Sequence, residues 1–167
     1  MKAVILRRQQ PEMEELRIPK VSVEIICHTI QQEVLAGEIF LDQVSNAGYT
    51  TMQVLEFFNS HYAYFPLRIS AEKSILLQKL SLLRVNVQGL FHEYETEVSF
   101  SLDLKREAIL HMTNGMTLQG QFIIDMPHDH DRTLDLLNAG RHFVPFLLED
   151  TINLIHTLYL YKIEESF

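Results

Sequence analysis

The sequence predicts an α+β, strand-rich protein made from one ββαββ unit used twice. Three observations carry that expectation. Residues 24–42 overlie residues 107–125 without a gap at an offset of 83, which places His28 on His111, Gly37 on Gly120 and Asp42 on Asp125. Residues 55–69 overlie 134–148 at an offset of 79, and residues 76–85 overlie 154–163 at 78. The second match pairs Asn59 with Asn138 and Pro66 with Pro145. Thirdly, single alternation of apolar residues opens each copy, and helical spacing follows between strand-like segments.

The elements follow in order. Residues 1–17 form a leader in which 2–6 can add an edge strand, broken by Gln9, Gln10, Pro11 and Glu12. The first repeat spans 18–88. It opens on the alternating strand Val21-Ser22-Val23-Glu24-Ile25, with a second strand over 34–41. Thr50 and Gln53 have capping-box spacing, in which a Thr hydroxyl satisfies an early amide while Gln reaches back. Met52, Leu55 and Phe58 then recur at helical spacing, and the helix ends near Asn59-Ser60. Extended segments are expected over 64–69 and 75–87.

Residues 89–97 read as an exposed linker with Gly89, Glu93, Glu95 and Glu97. The second repeat, 98–167, is led by alternating Val98, Phe100, Leu102 and Leu104. Strands over 108–113 and 116–125 flank Asn114-Gly115, a strong hairpin signal because both residues tolerate positive φ. The matching pair in the first repeat, Gln31-Gln32, lacks that tolerance, so its turn is expected to differ or to be less favourable. A helix over 132–139 is expected, with Asp131 as N-cap and Gly140 as a left-handed terminator. Strands over 143–148 and 153–163 close the unit.

A unit of roughly 70 residues has a marginal core by itself. The two are therefore expected to pack together and share apolar surface. Gly37 and Gly120 lie inside strands, where glycine marks a bulge or sharp bend. Two small curved sheets or SH3/Sm-like barrels are expected, each with a helix over an open end, related by a pseudo-twofold axis.

Charge narrows the partners. The net charge is −8, with 14 Lys and Arg in 167 residues, and Arg7-Arg8 and Lys105-Arg106 are the only adjacent basic pairs. Nucleic acid and anionic membranes are disfavoured, since phosphates are bound by clustered cations. No run approaches the ~20 apolar residues of a spanning helix, and 3–6 is too short for a secretory core segment. The lone Cys27 fits a reducing compartment and sits in an apolar run, as a buried, inert thiol does. A cytoplasmic location is expected.

The densest polar cluster is His128-Asp129-His130-Asp131. These residue types ligate divalent metals, and alternate residues of an extended loop can converge on one ion. Further ligands would have to come from His111, His142 or His156. A solvated loop and helix cap is the simpler reading. His28 and His111 occupy matching apolar strands and read as structural histidines. Asp42 and Asp125 read as turn residues, Asn59 and Asn138 as left-handed helix caps, and Pro66 and Pro145 as residues that set where strands begin. Tyr62, Tyr64, Phe65, Tyr159 and Tyr161 read as core or interface packing rather than base-stacking platforms. No nucleophile elbow, phosphate loop or paired CxxC occurs.

The segment Asn114-Gly115-Met116-Thr117-Leu118-Gln119-Gly120, with Arg132-Thr133-Leu134-Asp135-Leu136-Leu137-Asn138 and Phe143-Val144-Pro145, resembles a small uncharacterised bacterial domain. The likeness covers about 107–163, and more weakly 24–87, and it implies no catalytic residues. The hairpin alone is similar to the first motif of Sm-like barrels through Gly115, Gly120 and Asp125, while the second Sm motif is absent. The function expected is a non-enzymatic bacterial interaction or assembly module that binds a protein partner or itself. The alternatives are a metal-binding sensor or metal-dependent enzyme using His128, Asp129, His130 and Asp131, and an Sm-like nucleic-acid binder.

Overall fold

The computed structural model describes residues 18–43, 48–88, 105–124 and 132–165. The leader, the linker, the lead-in strand expected over 98–104, Asp125 and the cluster at 128–131 lie outside the described residues. The described strands are β1 (Lys20–Thr29), β2 (Val34–Asp42), β3 (Tyr64–Ser70), β4 (Lys73–Gln78), β5 (Leu82–Val87), β6 (Lys105–Met112), β7 (Thr117–Ile123), β8 (Phe143–Leu148), β9 (Thr151–His156) and β10 (Leu160–Glu165). Helix α1 (Thr51–Asn59) separates β2 from β3, and α2 (Thr133–Asn138) separates β7 from β8. All ten strands join one open antiparallel sheet in the order β10-β6-β7-β8-β9-β5-β1-β2-β3-β4.

That order corrects the expected architecture in two ways. There is one continuous sheet, not two separate sheets or closed barrels. A twofold axis would also bring β4 beside β9, or β5 beside β10. The junction is instead β9 against β5, through Arg84↔Ile155, Val85↔Leu154 and Asn86↔Asn153. The halves therefore follow one another head to tail.

The registers of the two halves correspond. His28↔Val34 and Ile25↔Gly37 of β1·β2 stand at the sequence offset of His111↔Thr117 and Ala108↔Gly120 of β6·β7. Pro66↔Leu76 likewise matches Pro145↔Leu154. His28↔Arg84 matches His111↔Lys162.

Each half has one strand more than expected. The extended segments over 75–87 and 153–163 are each split by a short 3-10 turn, Lys79–Ser81 and Thr157–Tyr159. The apolar pattern runs on through both, so periodicity does not reveal them. Tertiary bonds do. The buried Lys79 donates from Nζ to Phe57 O (2.7 Å), Ser60 O (3.2 Å) and Ser60 Oγ (2.8 Å), tying the first turn to the end of α1. Thr157 N donates to His142 O at 2.8 Å in the second.

Both glycines sit in unbroken register, so neither is a bulge. They allow a close approach. A Cβ on Gly37 would lie 2.6 Å from Arg68 O, and one on Gly120 would lie 2.2 Å from Leu147 O. At these points β3 and β8 cross over β2 and β7, and the sheet bends. The ladders there are short: Glu38↔Arg68 alone, and Gln121↔Leu147 with Phe122↔Phe146. Pro66 and Pro145 are the third residues of their strands, so they do not mark strand entry, and each lies just ahead of the pairs made with β2 and β7.

The bend encloses two cores. One holds Val23, Ile25, Ile39, Val54, Phe58 and Leu67, and the other Leu110, Met112, Phe122, Leu136 and Phe146. Neighbouring residues of the central strands point into opposite cores: Leu82 and Leu83, Phe143 and Val144, Leu154 and Ile155. Successive strand side chains alternate faces, so β5, β8 and β9 are covered on both sides.

Local chemistry explains the turns. The box at α1 is present: Gln53 N donates to Thr50 Oγ1 (3.2 Å) and Thr50 N to Gln53 Oε1 (2.9 Å). Helix α2 is shorter than expected and has Arg132 at its N-cap. Its backbone N–H bonds Asp135 Oδ2 at 3.4 Å. Gly140 is left-handed at φ 76°, as expected. The two first hairpins share one geometry. Met112 N donates to Met116 O and Thr29 N to Glu33 O, with Gly115 at φ 86° and Gln32 at φ 66° in the left-handed position. A left-handed non-glycine residue costs roughly 1–2 kcal/mol. Gln32→Gly is therefore expected to stabilise the protein by about 1 kcal/mol, partly offset by added freedom in the unfolded chain. A rise in the urea midpoint at unchanged slope checks it.

Candidate functional site

The two outer edges of the sheet are the most distinctive surface. Among the described strands, β4 has only β3 as neighbour and β10 only β6. An outer strand presents a row of backbone donors and acceptors to whatever can pair with it. These two also carry exposed apolar side chains. Leu76 on β4 is 75% exposed and Tyr161 on β10 is 66% exposed. Tyr62, Tyr64 and Leu80 are exposed near β4, and Leu134 and Leu158 on the side of β10 and α2. The aromatic residues expected as packing thus divide: Phe65 is core, while Tyr62, Tyr64 and Tyr161 are surface.

At the inner junction the corresponding residues are buried. Leu154, at the offset of Leu76, has no exposure, and Leu83, at the offset of Tyr161, has 2%. The junction also has polar fasteners. Arg84 Nη1 donates to Asn153 Oδ1 at 3.3 Å, and burial lowers the guanidinium pKa. Asn59 does not form the left-handed cap expected of it. Its Nδ2 donates to Leu55 O (3.1 Å) and Phe143 O (2.9 Å), and its Oδ1 accepts from Phe143 N (2.9 Å). One side chain on α1 thereby fastens both backbone groups of the first residue of β8. Phe58 packs on the Phe143 ring at 5.4 Å.

Two hollows lie outside the strand glycines. Glu24, Ile25, Ala36, Gly37 and Glu38 help line one of about 550 Å³, and Glu107, Ala108, Gln119, Gly120 and Gln121 line one of about 240 Å³. In the larger, Arg68 forms an ion pair with Glu38 and lies 4.4 Å from the Phe40 ring centroid. Hydrogen bonds from Arg68 and then Ser22 hold the Glu38 carboxyl below its ordinary range. Both hollows are open to solvent.

Among the described residues, His28 and His111 do not meet. His28 on β1 and His111 on β6 are separated by β5, β9, β8 and β7. Burial and then Arg84 lower the His28 pKa, while His111 Nε2 lies 3.1 Å from Glu164 Oε1. His142 and His156 are neighbours, with ring centroids 6.1 Å apart. His156 is buried, accepts from Leu158 N at Nδ1 (3.2 Å) and packs on Phe143 and Tyr159. Among the described residues no group of three metal-ligating side chains gathers. Burial pushes the Cys27 thiol up to about 12, which makes it a poor nucleophile. Asp42 pairs with Lys20 across the β1·β2 ladder.

One pH dependence follows. Burial and then His142 lower the His156 pKa from 6.5 to about 4. Between those values the unfolded chain binds a proton that the folded protein does not. Stability therefore falls as pH drops through that window, and His28 adds an effect of the same sign. Thermal melts should lose several degrees between pH 7 and pH 4.5, and His156→Phe should flatten that slope.

No protein-family model, curated protein or solved structure matches this chain. No helix among the described residues is long and apolar enough to cross a membrane.

Proposed function

We propose that this chain is a non-enzymatic interaction module that takes a partner strand along an outer edge of its sheet. We also infer that its halves are two copies of one unit, on the strength of the matching sequence offsets and registers. The supporting observation is that each outer strand carries a largely exposed apolar side chain, Leu76 on β4 and Tyr161 on β10, beside backbone groups that another chain can complete. Strand addition supplies affinity through main-chain hydrogen bonds, and alternate side chains supply specificity.

A photo-crosslinking residue at Leu76 tests this reading. It is expected to give an adduct of defined mass in cells, whereas one at Gln31, in an exposed turn away from both edges, gives none. Equal labelling at the two positions, or none at Leu76, would overturn it.

A further inference from the structure

We propose that the partner of each edge is a second copy of this chain, with β4 of one molecule pairing β10 of the next in the register of the inner junction. This rests on the edge-docking reading above and names its occupant. The template lies within the chain. β5 and β9 already form such a contact, and they stand at the sequence offset of β10 and β4. Carrying Arg84↔Ile155, Val85↔Leu154 and Asn86↔Asn153 across by 78 residues gives Lys162 opposite Leu77, Ile163 opposite Leu76 and Glu164 opposite Ile75.

The side chains suit that pairing. Leu76 would be covered as Leu154 is, and Tyr161 would stand where Leu83 enters the second core. Glu164 would lie diagonally from Lys73 on one face, where opposite charges attract. The side-chain clamp is repeated as well. Asn59 holds Phe143, while Asn138 ends α2 on the surface. By the 79-residue offset that relates 55–69 to 134–148, Asn138 faces the backbone of Tyr64 in the next copy. Both edges of the described sheet thus match halves of a contact already made at the inner junction. A head-to-tail interface of this kind uses two different patches, so assembly continues until it closes on itself.

Complementation tests the proposal. Light scattering on the full chain is expected to give a mass several times 19.5 kDa. Leu76→Asp blocks one edge and Tyr161→Asp the other, both at exposed positions. Each variant alone is expected to be a folded monomer, and an equimolar mixture is expected to form a dimer with a single junction. Asn138→Ala, which leaves both strands intact, is expected to weaken assembly at least tenfold.

A monomeric wild-type chain would overturn the proposal. So would a single edge variant that still assembles, or a mixture that stays monomeric. If either Asp variant fails to fold, the Asn138→Ala result decides. A Leu76 crosslink found only to other proteins would remove self-pairing and leave edge docking intact, whereas no crosslink at all would remove both.

Discussion

Gly120→Ala is expected to destabilise this protein more than any other single methyl addition. The new Cβ would lie 2.2 Å from Leu147 O and 2.7 Å from the Phe146 ring. The nearest atom is backbone, and Phe146 is fully buried against Phe122, with ring centroids 5.1 Å apart. Neither can rotate away, so β8 must lift from β7 and open the second core. Overpacking of this kind costs roughly 3 kcal/mol or a little more, a large part of an ordinary domain's total stability. Gly37→Ala should cost less, roughly 2–3 kcal/mol, because its contacts are longer and one is the flexible Leu67 side chain. Gly115 and Gly140 form a control. Nothing lies within 4 Å of a Cβ there, so only left-handed strain remains, about 1 kcal/mol each. Urea titration of the four variants should give that order. A Gly120→Ala protein as stable as Gly140→Ala would mean that the strands do not cross so closely.

The same glycines show what the sequence could and could not reveal. Alternation at Val21, Val23 and Ile25 gave β1, and Thr50 with Gln53 gave the start of α1, because those signals are local. A glycine within a strand also announced a special backbone position. It could not say whether that was a bulge or a crossing, since the atoms concerned, Arg68 O and Leu147 O, arrive from residues distant in the chain. The 3-10 turns were hidden for a similar reason: nothing next to Lys79 in the sequence signals its carbonyl partners at Phe57 and Ser60. The single sheet was hidden because joining β5 to β9 changes no local pattern. One trace of it exists. The run Phe143-Val144-Pro145-Phe146-Leu147-Leu148 is apolar at every position, as a strand buried on both faces must be, whereas its counterpart from Tyr64 to Ile69 includes Arg68. At the surface, Tyr161 read as core or interface packing, and nothing local at Leu76 told it from a buried strand residue. Their counterparts Leu154 and Leu83 are buried only because a neighbouring strand covers them.

Asn59→Ala is expected to cost roughly 2–4 kcal/mol, while Asn138→Ala in the isolated chain should stay within about 0.5 kcal/mol. The two asparagines end matching helices, so helix propensity cannot separate them. Their surroundings do. Removing the Asn59 amide leaves Phe143 N–H and Phe143 C=O without that partner at a half-buried contact, and Phe143 itself has no exposure. Asn59→Asp should be no better. It keeps an acceptor for Phe143 N but sets a carboxylate against Leu55 O and Phe143 O, which need donors. Denaturant midpoints of the single variants measure the contrast under conditions where the chain is monomeric. The gap should narrow as protein concentration rises, because Asn138 acquires a backbone to hold only when a second copy docks on its side. A gap that does not change with concentration would leave Asn138 a surface residue and confine the clamp to Asn59.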